Sequence, residues 1–143
     1  MVKKDILRSP IFLILLLYLI SASNSCLARG VKSVEIEAIG LHEGNVNSMV
    51  KRECKSFRPT RVQIKQFFSK AYPVEGYVLM HSRYSPCYTH GSIRFSDGHF
   101  AKWKLYSGGA ARLTFNRGDE VTVFYGNNGW IDPFAGGYDF RGY

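Results

Sequence analysis

From Ser92 to Tyr125 apolar and polar side chains alternate with a period of two, broken at short intervals by turn residues. Successive side chains of a strand point to opposite faces, so the pattern predicts four strands, over 92–96, 99–106, 110–116 and 120–125. Asp97-Gly98 is a two-residue hairpin signal, and Ser107-Gly108-Gly109 and Arg117-Gly118-Asp119 mark the next two reversals. Short turns join antiparallel neighbours, which makes the segment a meander. One face carries Ile93, Phe95, Ala101, Trp103, Leu105, Ala111, Leu113, Phe115, Val121, Val123 and Tyr125 and is expected inside. The other carries Arg94, Phe100, Lys102, Lys104, Tyr106, Arg112, Thr114, Asn116, Thr122 and Phe124 and reads as a solvated face with aromatics interspersed.

Upstream, residues 34–39 alternate apolar and charged groups as a half-buried strand does, and residues 40–47 read as a loop. A helix is predicted over 60–71, because Ile64, Phe67, Phe68 and Ala71 recur at three- and four-residue spacing. Thr60 is placed to cap it, and Pro73 to stop it. A further strand is expected near 77–80, then an irregular stretch over 82–89. The last segment, 126–143, holds Trp130, Phe134, Tyr138, Phe140 and Tyr143, an aromatic content that suits a packed coil better than a disordered tail. The expected architecture is α+β: a small antiparallel β-meander packed against one main α-helix.

The amino-terminal texture is different. Lys3, Lys4 and Arg8 precede an unbroken apolar run from Ile11 to Ile20, followed by small and polar residues, which is the layout of a cleaved export signal. Ten residues are too few to cross about 30 Å of hydrocarbon as a helix. Cleavage after Ala28 divides the chain into a signal, 1–28, and a single domain, 29–143; an alternative makes Cys26 a lipid-bearing first residue of an envelope lipoprotein. The expected location is the periplasm or the exterior, with no transmembrane span in the mature chain.

Composition and charge sharpen this picture. The 143 residues carry 19 Lys+Arg against 11 Asp+Glu, a net charge of +8, and 15% are aromatic. The charge survives loss of the signal, so partners with acidic surfaces are favoured. Cleavage leaves two cysteines, Cys54 and Cys87, and an oxidising compartment favours a bridge between them. The rival for Cys87 is a thiol nucleophile activated by His90 or His99 and oriented by Asp97, as in a small cell-wall amidase or peptidase. A metal alternative draws on His81, His90 and His99 with Asp97 as a fourth ligand, although no HExxH or paired CxxC spacing supports it.

The carboxylates show no paired arrangement for sugar hydrolysis, and Gly108-Gly109 and Gly136-Gly137 lack the strand-to-helix setting of a phosphate loop, so no cofactor is expected. Arg94, Lys102, Lys104 and Arg112 beside Phe100, Tyr106 and Phe124 share the composition of a base-stacking platform, but export argues against nucleic acid. The favoured expectation is therefore a basic, disulfide-stapled exported binding protein of inhibitor or immunity type that blocks a partner enzyme or toxin. Its expected contact residues are Tyr84, Tyr88, His90, Arg94, Lys102, Lys104, Arg112 and Trp130.

Overall fold

The computed structural model describes residues 29–137; the signal run, Cys26 and the final aromatics Tyr138, Phe140 and Tyr143 lie outside the described residues. The elements run β1 (Val31–His42), α1 (Ser48–Ser56), α2 (Arg61–Lys70), β2 (Tyr72–Pro73), a π-helical turn (Val78–Ser82), β3 (Cys87–Phe95), β4 (Phe100–Tyr106), β5 (Ala110–Phe115) and β6 (Glu120–Phe124). The six strands of the described residues form one antiparallel sheet in the order β1-β3-β4-β5-β6-β2. The predicted meander is its centre, and Gly98 turns the first hairpin at φ +87°, a backbone region that residues with a β-carbon rarely enter.

The inward face follows the alternation. Ile93, Phe95, Ala101, Trp103, Leu105, Ala111, Leu113 and Val123 are buried in one cluster with Ile64, Phe67 and Phe68 of α2. The helix forms where its cap and its apolar spacing agree: Thr60 Oγ1 accepts from the Gln63 amide, and the Gln63 side chain accepts from the Thr60 amide. Phe68 meets Trp103 at 5.8 Å between ring centroids, which seats the helix on the middle of the sheet.

Four expectations are corrected. The helical layer has two members, since α1 also packs inward through Val50 and Cys54, with Asn47 as its N-cap. β1 continues through what reads as a loop, because Leu41 and His42 pair with Tyr88 and Cys87 after three register shifts. Residues 77–80 are not a strand: Val78 and Leu79 are adjacent and both buried, and the Arg83 amide reaches the Val78 carbonyl to close a π turn. β3 starts at Cys87, within the stretch expected to be irregular, because its inward positions Cys87, Thr89 and Gly91 are buried without looking apolar.

Gly91 is obligatory. A β-carbon there would lie 2.0 Å from the Glu35 carbonyl oxygen and 2.8 Å from the Trp103 ring. The expected bridge is formed: Cys54 of α1 and Cys87 of β3 are joined by a disulfide, and both are fully buried. At the same end of the sheet Ser85 and Ser107, both buried, share a hydrogen bond of 2.6 Å, and Ser107 donates to Asp132 at 2.7 Å. Trp130 donates its indole N–H to the Ser107 carbonyl and packs on Phe57 and Phe67. These bonds tie the segment after β6 to the β4–β5 turn.

Candidate binding face on the outer side of the sheet

Both α-helices lie on the inward side, so among the described residues the outer side of β3, β4 and β5 is covered only at one end. There the π turn places Leu79 against Tyr106 and Ala110, with Tyr88 and Phe124 packed alongside. The remainder is open, and its side chains are set by register. His90 faces Lys104, which faces Arg112; Ser92 faces Lys102, which faces Thr114; Arg94 faces Phe100.

A row of His90, Lys104 and Arg112 puts potential positive charges directly opposite one another, which costs stability unless countered. Each has an acidic neighbour. Glu37 is 3.4 Å from His90, Glu120 is 3.9 Å from Arg112, and Glu43, just beyond β1, pairs with Lys104. Glu43 also accepts the Tyr106 hydroxyl hydrogen bond at 2.8 Å. Burial works to raise the Glu43 pKa, but the hydrogen bonds from Lys104 and Tyr106 and the charges of Lys104 and Arg112 outweigh it and hold the carboxyl below its usual value. The Tyr106 phenol is pushed well up, by burial first and then by the hydrogen bond and negative charge of Glu43.

Lys104 is thus taken up within the molecule, with its ammonium 3.9 Å from the Tyr88 ring centroid as well. Arg94 and Lys102 differ: both are exposed, and among the described residues neither has a carboxylate at ion-pair distance. Arg94 lies 5.9 Å from the Phe100 ring centroid. The free positive charge of this face therefore sits on its Arg94–Lys102 side, beside the half-buried ring of Phe100.

Of the residues expected at a contact surface, Tyr88, His90, Arg94, Lys102, Lys104 and Arg112 share this face. Tyr84 is exposed on the loop before β3. Trp130 does not join them, since it packs against Phe57 and Phe67 among the core aromatics, on the helical side. The thiol alternative is corrected by the disulfide, which leaves Cys87 with no thiolate to be activated by His90. The metal alternative is not assembled either. His81 stands on the π turn, His90 within β3 and His99 in the β3–β4 hairpin, and among the described residues no three His, Cys, Asp or Glu side chains are grouped to hold an ion.

Asp97 instead serves the hairpin. Its carboxylate accepts from the His99 amide at 3.1 Å, contacts the His99 ring at 3.1 Å and pairs with Arg29 at 2.6 Å. Its pKa is lowered: desolvation, the largest single influence, opposes this, and the hydrogen bonds from His99 together with the charges of Arg29 and His99 outweigh it. Sequence reasoning missed Glu43, which sits 61 positions from Lys104, and no local spacing announces such a pair. Comparison with protein-family models, with curated proteins and with solved structures finds no match to this chain.

Proposed function

We propose that this chain is an exported binding protein of inhibitor or immunity type, and that the open outer face of β3–β5 docks on an acidic surface of a partner enzyme or toxin. The observation that carries the reading is the one-sided sheet: helices close one face, while the other leaves Arg94 and Lys102 unpaired beside Phe100. Arginine and aromatic side chains supply most of the energy at protein interfaces, and unpaired cations speed encounter with an acidic partner. The paired strands and the buried Cys54–Cys87 bridge fix the backbone that carries these side chains, which limits the ordering cost of binding to the side chains themselves.

The test is site-specific photo-crosslinking in the native host, with the probe at Lys102 or, as a control, at Val62 on the exposed side of α2. A discrete adduct with one acidic exported protein is expected from position 102 and not from 62. It should disappear when Arg94→Glu is added to the chain that carries the probe at position 102. Equal adducts from both positions, or an adduct indifferent to charge reversal, overturn the reading.

A further inference from the structure

A second surface lies at the opposite end of the sheet from the π turn, and it consists of two compartments with a common wall. The first is an apolar cleft of about 530 Å³ between the end of α2 and the strands, lined by Phe68, Phe95, Leu113 and Val123. The second is a wider groove of about 830 Å³ over the β3–β4 and β5–β6 turns, to which Arg94, Arg117 and His99 contribute. Arg29, Phe115 and Val121 line both. Phe95 and Phe115 stack with centroids 6.2 Å apart, and the Arg29 guanidinium lies 5.2 and 5.7 Å from the two ring centroids, at the boundary between compartments.

The two halves ask for different chemistry. Both volumes fall within the range of about 300–1,000 Å³ typical of small-molecule sites, and the apolar cleft leaves Phe115 and Val121 only half-buried, so a hydrocarbon entering it gains contact area. The groove is lined by three guanidiniums and one carboxylate, Asp119, and of the three guanidiniums Arg29 is paired with Asp97 of the adjoining turn. Neither Arg94 nor Arg117 has a carboxylate at ion-pair distance among the described residues. Guanidinium forks match tetrahedral phosphate oxygens better than any other anion-binding side chain.

The geometry points to a binding site for a single-chain amphiphile with a phosphate head, of the lysophospholipid type: the acyl chain lies in the cleft against Phe68, Phe95 and Phe115, and the phosphate meets Arg94 and Arg117. This site does not depend on the protein-docking reading, with which it shares Arg94 and the ring of Phe100.

Calorimetric titration of the purified exported chain with dodecyl phosphate, kept below its micellar concentration, tests the site. One molecule per chain is expected to bind, at least tenfold more tightly than dodecyl maltoside or inorganic phosphate alone. Arg117→Glu, an exposed change outside the docking face, should weaken binding at least tenfold. Val121→Trp should abolish it by filling the shared wall, provided circular dichroism shows that this variant folds; Arg117→Glu decides the matter if it does not. Equal binding of the maltoside, no binding of the monomer, or binding confined to phosphatidylglycerol vesicles and unaffected by Val121→Trp each overturn the proposal.

Discussion

The ammonium of Lys104 rests over the ring of Tyr88 and donates to the Glu43 carboxylate, so the most central lysine of the outer face belongs to the fold rather than to a partner. Lys104→Ala is therefore expected to lower stability, by about 1–2 kcal/mol, because it leaves a partly buried carboxylate without its cation. Lys102→Ala, one pair of residues away, should change stability by under about 0.5 kcal/mol. Urea unfolding of the two variants checks the contrast.

The same cluster makes stability depend on pH at both extremes. The folded Glu43 pKa lies below its ordinary 4.5, so its contribution is complete above that value and is lost as pH falls below it. The folded Tyr106 pKa lies above its ordinary 10.0, so that contribution is complete below pH 10 and is lost as pH rises beyond it. Glu43→Gln should flatten the acid limb and Tyr106→Phe the alkaline limb of a melting temperature profile. Unchanged limbs in both variants would contradict the arrangement.

Gly91→Ala is expected to be the most damaging small substitution in the sheet. The added carbon meets a backbone carbonyl of β1 at 2.0 Å, and that strand cannot withdraw without breaking its pairing with β3. A loss of about 3 kcal/mol or more is expected, against under about 1 kcal/mol for Ser92→Ala on the outer face. Denaturant midpoints of the two variants measure it.

Replacing Cys54 and Cys87 together by serine, or reducing the bridge, should remove roughly 3–4 kcal/mol through the freedom regained by the unfolded chain. The folded oxidised protein should show no alkylation at Cys87 until it is unfolded. Rapid labelling of Cys87 in the native state would restore the thiol alternative.

Ser107→Ala removes the link between Ser85 and Asp132 but leaves the Ser107 carbonyl that holds Trp130. The expected cost is about 0.5–1.5 kcal/mol, from the lost hydroxyl hydrogen bonds, since Ser85 still accepts from the Cys87 amide and Asp132 from the Phe134 amide. Hydrogen exchange separates the two indoles: the Trp130 N–H, bonded in the native fold, should exchange faster in this variant as the segment after β6 loosens.

The meander was legible because Trp103, Leu105, Leu113 and Val123 are large, apolar and strictly alternate with polar residues, and because glycines stand at the reversals. The helix over Arg61–Lys70 was legible because its cap and its apolar spacing agree. The start of β3 was hidden, since a disulfide sulfur, a hydroxyl bonded to the Ala38 carbonyl and a hydrogen atom fill the inward positions at Cys87, Thr89 and Gly91. The helix Ser48–Ser56 turns only Val50 and Cys54 inward, too few to set a period. The outer face is basic and aromatic as the alternation predicts, except that Tyr106, expected in solvent, is buried under the π turn, and the carboxylates of Glu37, Glu43 and Glu120 beside three of its five basic side chains come from other strands and from a loop. Charge at a surface is a three-dimensional sum, which composition along one strand does not give.

The borders of the sheet carry a consequence of their own. One border is β2, two residues long and including a proline; the other is β1, whose pairing with β3 shifts register three times along its length. Unpaired borders are where sheets recruit further strands, and short, proline-bearing or bulged borders recruit poorly. The molecule is therefore built to stay dispersed when crowded: concentrated samples should remain free of fibrils, and any self-association should occur face to face rather than rim to rim.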